Sequence, residues 1–324
     1  MYFDAHSDIW TDVTIRRMHG EKNVFHNHHT KRLKDGNVEG SIFVIWVDPP
    51  YTSDYRKRTS EIMSCIQAEA EEAEDIRIVH NYDEMVAAKN EDKIYVFIGI
   101  EGMAAIGTDV DELDKYYEIG ARHGMLTWNE VNDLGSGAVS GKRMLPLSDA
   151  GKKAVRYMEE KGMLVDVSHL NEGGFWDVAR IAEKPFIASH SNCSALCDVP
   201  RNLTDEQLRA IRDADGCVGL NSFNLFISEN PADQTVEQLA QHAAHMIDVM
   251  GIDHVGCGFD FCDFVSDDIM STMTNDVTAV TKGLENCRSI HRLFECFDEM
   301  GMTAEEKEKI AHLNFQRVIK DVMS

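Results

Sequence analysis

Histidine and carboxylate side chains recur where short apolar segments end in this 324-residue sequence. His6 and Asp8 follow the first apolar segment, and Glu101 closes a later one. His169 and His190 come directly after two more. Imidazole nitrogens and carboxylate oxygens are the ligands that zinc and similar divalent metals prefer. Together the five residues predict a centre for two divalent metal ions that share a bridging carboxylate.

Each of these residues taken alone favours a plainer interpretation. A single His-x-Asp pair is more often a hydrogen-bonded polar pair, and a buried Glu is often paired with Arg or Lys. The alternation of side chains along a strand places His6 and Asp8 on the same side of the backbone. The metal hypothesis depends on the repetition of this pattern at the ends of four of the predicted strands, which independent structural residues explain poorly.

Two more side chains could act on a substrate at the same place. Asp260 ends the last apolar run, after Gly256 and Gly258, and could transfer a proton or bind an amine. Arg201 lies just before a predicted helix. Its guanidinium could hold a carboxylate through two parallel hydrogen bonds, or it could form an ordinary surface ion pair.

The elements that must position these residues alternate between short apolar runs and longer amphipathic stretches. This alternation is typical of βα units around a parallel sheet. The eight predicted strands span residues 2–6, 42–47, 95–101, 124–129, 163–168, 186–190, 217–222 and 254–260. We therefore predict an α/β fold, a (β/α)8 TIM-type barrel whose active site forms at the carboxyl ends of the strands.

The helices are predicted from periodicity and capping signals. One long helical stretch spans 55–80, another spans 149–161 after Ser148, and a third spans 204–213 with Thr204 and Gln207 as a capping box. Residues 286–300 and 303–323 predict extra C-terminal helices. An open doubly wound sheet is disfavoured, because no glycine-rich turn follows the first strand. We find no linker, so residues 1–324 are expected to form one domain.

Composition excludes several classes of protein. The 56 acidic residues outnumber the 32 basic ones, and the formal net charge of −24 disfavours nucleic-acid binding. We find no apolar run long enough for a membrane span and no leader-like start, which predicts a cytoplasmic protein that does not bind membranes. The eight cysteines are too sparse for a disulfide scaffold and are expected to be reduced.

At these residues the sequence resembles the membrane (renal) dipeptidase family, the M19 metallopeptidases, over essentially its whole length. The matching motifs are Asp4-Ala5-His6-Ser7-Asp8, Ile100-Glu101-Gly102, Val165-Asp166-Val167-Ser168-His169, Ser189-His190-Ser191, Arg201-Asn202-Leu203, and the stretch from Gly251 to Asp260. The resemblance implies a metal-dependent hydrolase barrel in which His6 and Asp8 hold one zinc ion. His169 and His190 would then hold the other, and Glu101 would bridge both.

The same resemblance implies an activity. Arg201 would receive the carboxylate of a dipeptide, and Asp260 would handle its amino group or a proton. The expected reaction is hydrolysis of a small dipeptide by a hydroxide shared between two zinc ions, and a D-residue at the carboxyl end fits the family. The chain is similar to the soluble bacterial members, and a homodimer is one expectation for its assembly.

Two positions depart from the family pattern. Many members have a His, understood to bind the oxyanion, where this chain has Trp128 in Leu126-Thr127-Trp128-Asn129. An indole N–H donates one hydrogen bond but carries no charge, so Trp128 or Asn129 would have to substitute. Cys262 stands where an acidic residue is common. These departures leave two alternatives open: a dinuclear hydrolase of another amide, a lactone or an N-acyl amino acid, and a binding protein without activity.

Overall fold

Parallel strands form the centre of the computed structural model, which describes residues 1–277 and 280–323. Its strands are β1 (Tyr2–Ser7), β2 (Val38–Trp46), β3 (Ile76–Ile78), β4 (Ile94–Glu101), β5 (His123–Met125), β6 (Leu164–Asp166), β7 (Ile187–Ala188), β8 (Cys217–Leu220) and β9 (Val255–Cys257). Eight of them follow one another in the order β1-β2-β4-β5-β6-β7-β8-β9, each parallel to the next. The predicted (β/α)8 barrel is confirmed.

A side chain helps to join the first and last strands of this barrel. β9 lies beside β1. Within the described residues no β-ladder pairs them, but the backbone N–H of Phe259 donates to Oδ1 of Asp4 over 2.8 Å. Asp4 is buried. Its carboxylate therefore provides a hydrogen bond at the position where the ladder is interrupted.

Helices follow the strands and cover the outside of the barrel. They are α1 (Ile9–Met18), α2 (Lys31–Asp35), α3 (Tyr55–Glu72), α4 (Tyr82–Asn90), α5 (Leu113–Glu118), α6 (Asp149–Glu160), α7 (Glu172–Ile181), α8 (Asp205–Asp213), α9 (Val236–Met250), α10 (Asp267–Met270), α11 (Ile290–Glu299), α12 (Ala304–Glu308) and α13 (Asn314–Val322). Two π-helical segments, Phe25–Thr30 and Lys309–Leu313, precede α2 and α13. The extra C-terminal helices predicted from the sequence are α11, α12 and α13.

The capping signals correctly locate two helix starts. The Ser148 side chain accepts a hydrogen bond from the Gly151 N–H at the start of α6. Thr204 and Gln207 form the expected capping box at the start of α8. These side chains satisfy N–H groups that have no partner within the helix, which is why they mark its first turn so reliably.

The predicted helix over 55–80 is wrong in its last part. α3 ends at Glu72, and residues 76–78 form β3, which pairs with the first half of β4. A strand of only three residues gives too short an alternating pattern to stand out after a long helix. Several predicted barrel strands are also longer than the observed ones. Their ladder pairing stops early, and the residues that carry the chemistry lie just beyond it.

The helices and the cysteines can be compared with the expectations from composition. Among the described residues, no helix combines the length and apolar character needed to cross a bilayer. All eight cysteines are free thiols, and six of them are buried.

Candidate metal centre

Six predicted side chains meet at the mouth of the barrel. They are His6 and Asp8 at the end of β1, Glu101 at the end of β4, His169 after β6, His190 after β7 and Asp260 after β9. All six are buried or nearly so. The carboxyl ends of parallel strands converge at one face of a barrel, and this convergence brings together residues that are far apart in the sequence.

Glu101 faces three histidines through its two oxygens. Its Oε1 is 2.9 Å from Nε2 of His169 and 3.9 Å from Nε2 of His190. Its other oxygen, Oε2, is 3.5 Å from Nε2 of His6. The two oxygens of one carboxylate therefore face different ligand groups, which is the arrangement that a bridging ligand requires.

His6 also faces the remaining carboxylates. Its Nε2 lies 3.8 Å from Oδ2 of Asp8 and 3.8 Å from Oδ1 of Asp260. Two sets of ligand atoms, His6–Glu101–His190 and His6–Asp8–Asp260, each lie within 4.8 Å of one another. Either set could hold a divalent cation, and they share His6.

Hydrogen bonds orient the other two rings. Nδ1 of His169 is 3.0 Å from Oδ1 of Asn129, and Nδ1 of His190 is 2.8 Å from Oγ of Ser189. With Nδ1 occupied, each ring presents Nε2 to Glu101. Such outer partners commonly fix the tautomer of a metal-binding histidine. The sequence predicts a substrate-binding role for Asn129 and no separate role for Ser189.

A buried network extends behind Ser189. Oδ1 of Asp166 accepts hydrogen bonds from the backbone N–H groups of Ser168 (2.8 Å) and Ser189 (3.1 Å). Its Oδ2 lies 2.7 Å from Nε2 of His123. The sequence pattern alone does not predict this role for Asp166 and His123. The only signal was Asp166 itself, a carboxylate inside an otherwise apolar strand.

Two of the converging residues have an uncommon backbone conformation. His169 has φ 65° and Asp260 has φ 58°, both in the left-handed region. Such a conformation costs a non-glycine residue on the order of 1–3 kcal/mol and persists only where its surroundings enforce it. Strained residues of this kind cluster at functional sites, and here both point to the barrel mouth.

The electrostatics of the site fit a bound cation. Burial and the Glu101 charge raise the pKa of Asp8 well above its ordinary value, while burial lowers the pKa of His190. Oδ1 of Asp8 and Nε2 of His190 are buried and have no hydrogen-bond partner among the described residues. Buried carboxylates without compensation are costly, and a divalent metal would use both orphaned atoms.

Arg201 is buried at the same mouth and is not a surface residue. It is 4% exposed, donates to the backbone oxygen of His190 over 3.0 Å, and approaches Oγ of Ser191 at 3.4 Å. Among the described residues no carboxylate lies within ion-pair distance of it. Burial lowers its pKa to about 10, so the side chain is charged at neutral pH. Arg201 therefore does not form a surface ion pair, and its guanidinium is available to an anionic group.

Asp260 and its neighbours complete the pocket. Nδ2 of Asn221 lies 3.3 Å from Oδ2 of Asp260, and burial raises the pKa of Asp260 to about 6. Cys262 lines the pocket, whereas Asp263 is paired with Arg32. The carboxylate of Asp263 therefore points away from the pocket, and the thiol of Cys262 lines the pocket where the family commonly has an acidic residue.

A cavity of about 320 Å³ covers this centre. Asp8, Glu101, His169, Arg201 and Asp260 all contribute to its lining. Trp128 and Asn129 line it as well. The Trp128 ring packs edge-on against Trp46 at 5.2 Å, and its centroid is 6.3 Å from that of His169.

The comparison that decides the family covers the entire sequence. The family model of the membrane dipeptidases, peptidase family M19, matches residues 1–324. The chain belongs to the membrane dipeptidase family. As an M19 protein it is a metallo-dipeptidase, and the family implies that it uses divalent metal.

Individual relatives agree with this assignment. An uncharacterised protein of Klebsiella pneumoniae is 34% identical over 72% of this chain and 84% of its own length. An uncharacterised dipeptidase of Schizosaccharomyces pombe is 28% identical over 95% of this chain and 75% of its own. A metallopeptidase structure from Rhodobacter sphaeroides, liganded with a phosphinate mimic of the dipeptide L-Ala-D-Ala, has a TM-score of 0.85 at 23% identity over 99% of both chains. This last likeness shows a shared fold for the M19 chain.

Proposed function

We propose that this M19 protein hydrolyses small dipeptides at a centre of two zinc ions. The proposed ligands are His6, Asp8, Glu101, His169 and His190. The observation that carries the proposal is the position of Glu101, because its two oxygens face His6 on one side and His169 with His190 on the other. No other carboxylate among the described residues has this relation to three histidines.

The proposed chemistry divides among the groups at the mouth. Bound zinc would lower the pKa of a water molecule and polarise the scissile carbonyl. Glu101 would be among the ligands of both ions, because its two oxygens face different histidines. Asp260 passes a proton to the leaving amine or binds the substrate amino group, because its carboxylate lines the pocket beside His6.

Arg201 is proposed to select the substrate by its free carboxylate. Its buried guanidinium lies at the pocket wall, close to His169 and His190, so an anionic group bound there would sit next to the metal ligands. Holding the substrate at a fixed distance from the reacting centre is a large part of catalysis. The L-Ala-D-Ala mimic in the Rhodobacter sphaeroides relative supports a small substrate with a D-residue at its carboxyl end.

Trp128 and Asn129 have separate proposed roles. Asn129 orients His169 through the 3.0 Å contact with Nδ1, so it acts through that ring as a positioning residue. Trp128 packs on Trp46 and presents an apolar surface to the substrate pocket. A cytoplasmic location, a homodimer and a single domain over residues 1–324 stay predictions from the sequence.

The test is hydrolysis of a panel of L-L and L-D dipeptides by zinc-reconstituted protein. The controls are the chelated protein and an N-acetylated dipeptide. We expect metal-dependent cleavage that is confined to free dipeptides. If protein with two bound metals cleaved none of them but opened a lactone or an N-acyl amino acid, the dipeptidase proposal would be wrong and the broader hydrolase alternative would replace it.

A further inference from the structure

Arg201 reaches the mouth of the barrel from an irregular segment, so regular secondary structure does not hold it in place. Residues 191–203 lie between β7 and α8 and contain neither a helix nor a ladder strand. The Arg201 guanidinium donates to the backbone oxygen of His190 over 3.0 Å, and its carbon lies 5.3 Å from the centroid of the Phe226 ring. The position of the guanidinium therefore depends on how this segment and Phe226 are held.

The side chain of Asn192 holds both of them. It is fully buried, and its amide makes three hydrogen bonds. Nδ2 donates to the backbone oxygens of Asn221 (2.9 Å) and Phe226 (3.3 Å), and Oδ1 accepts the backbone N–H of Asn221 over 3.0 Å. Turning the amide over would place Nδ2 against that N–H, so only one orientation satisfies all three bonds. The side chain thus ties the loop after β7 to the end of β8 and to Phe226.

The backbone of Asn192 provides the connection to Arg201. Its N–H donates to Oδ1 of Asn202 over 3.2 Å, and its oxygen accepts the N–H of Leu203 over 2.8 Å. Nδ2 of Asn202 donates in turn to the backbone oxygen of Phe226 over 2.8 Å. The two residues that follow Arg201 are therefore bonded to Asn192. The residue whose ring packs on Arg201 is held by both asparagines.

Asn192 itself is not placed to meet a substrate. It is 0% exposed and lines neither of the two cavities that Arg201 lines. A buried amide whose groups are all bonded favours one local conformation, because any other would leave polar groups unpaired. We infer that Asn192 is a positioning residue for Arg201 and sets how well the guanidinium recognises the substrate carboxylate. This inference rests on the proposed dipeptidase function.

The experiment compares kcat/KM for a free dipeptide with that for the same dipeptide amidated at its carboxyl end, in zinc-loaded protein. Asn192→Ala removes the three side-chain hydrogen bonds and leaves Arg201 in the chain. A displacement of about 1 Å can cost on the order of 100-fold in rate, so we expect the free-to-amidated ratio to fall about 10-fold, through a higher KM for the free dipeptide. Asn192→Asp keeps one acceptor at nearly unchanged volume and loses the two donated bonds. It should lower the ratio too, and it replaces the alanine variant if that variant does not fold.

A matched control separates positioning from a general loss of stability. Asn314 is also buried, and its Nδ2 donates to the backbone oxygens of Ile252 and Val255, each over 2.7 Å. These contacts lie at the start of β9, at the opposite end of the barrel from Arg201. Asn314→Ala loses the same kind of hydrogen bond and should leave the ratio within about twofold. Far-ultraviolet circular dichroism and zinc content establish that the variants are folded and loaded.

A double-mutant cycle tests whether Asn192 acts through Arg201. In the Arg201→Ala protein, the group that Asn192 positions is absent. Asn192→Ala should then change the free-to-amidated ratio by less than about twofold. A further loss of about 10-fold in that background would show that Asn192 affects recognition by another route, and the inference would be wrong.

The outcomes separate this inference from the function on which it rests. An unchanged ratio in both Asn192 variants, with Arg201→Ala still lowering it, would overturn the inference and leave the dipeptidase proposal intact. An equal fall of the ratio in Asn314→Ala would also overturn it. Cleavage of no dipeptide by metal-loaded protein would overturn the proposed function and this inference with it.

Discussion

At the scale of single residues, the site depends on side chains that make two contacts through two different atoms. Glu101 faces a histidine through each oxygen, and His169 and His190 each use Nδ1 for an orienting contact and Nε2 for the centre. The residue types were evident from the sequence. Which atom faces which neighbour was not, because that depends on side-chain torsions and on the separation of strands that are distant in the chain.

The hydroxyl of Ser189 gives the first prediction. Ser189→Ala removes the 2.8 Å contact with Nδ1 of His190, so this ring is no longer held with Nε2 towards Glu101. We expect zinc affinity to fall by about 10- to 100-fold. Competition with a chromophoric chelator measures it. Ser191→Ala removes a hydroxyl that approaches Arg201 instead and should leave zinc affinity within about twofold. An equal loss in both variants would contradict the assigned role.

Arg201 gives the second prediction. Arg201→Ala removes the buried cation that is proposed to bind the substrate carboxylate, so kcat/KM for a free dipeptide should fall about 100-fold or more. The same dipeptide with an amidated carboxyl end has no charge to lose and should respond much less. The ratio of the two kcat/KM values is the measurement. If both substrates lose activity by the same factor, Arg201 does not recognise the carboxylate.

At the scale of elements, short strands end early and leave the reactive residues on the loops that follow. β7 pairs over only Ile187–Ala188, and His190 follows it by two residues. The sequence predicted each barrel strand, but it extended several of them too far, since apolar character continues beyond the last ladder hydrogen bond. The sequence did not predict β3, because a strand of three residues is too short to show the alternation of apolar and polar side chains.

The cap of α8 gives the third prediction. Thr204 accepts the Gln207 N–H at the start of this helix, just after the segment that carries Arg201. Thr204→Ala leaves that N–H without a partner and should lower the free energy of unfolding by about 1 kcal/mol. Urea unfolding measures the change. Thr204→Ser retains the hydroxyl, and because Ser is at least as good an N-cap residue as Thr, the free energy of unfolding should change by no more than a few tenths of a kcal/mol. Equal losses for Ala and Ser would show that the hydroxyl is not what matters.

At the scale of the whole molecule, the barrel brings together acidic groups that repel one another. Asp8, Glu101 and Asp260 lie in one buried mouth of a chain whose net charge is −24. In the absence of metal, the charge of Glu101 raises the pKa of His6 to about 10 against the opposing effect of burial. A proton on His6 therefore offsets part of the negative charge that a bound cation would offset.

Metal removal gives the fourth prediction. Zinc that binds only the folded protein stabilises it by about 4 kcal/mol when its free concentration is a thousand times the Kd. Chelated protein should therefore unfold several degrees below the zinc-loaded protein, which differential scanning calorimetry measures. His190→Ala removes a proposed ligand and should shrink the difference. An identical difference in the variant would show that zinc stabilises the protein from another place.

The sequence by itself determined the alternation of strands and helices, and therefore the barrel. It also determined the residues at the strand ends, because local periodicity and capping are properties of neighbouring positions. The burial of Arg201 and the contacts of Ser189 and Asn129 were decided only by the tertiary structure. Asn129 and His169 are 40 residues apart in the chain and come into contact only after the strands that precede them have converged at the barrel mouth. No local pattern encodes that convergence, since it follows from the order and register in which eight parallel strands pack.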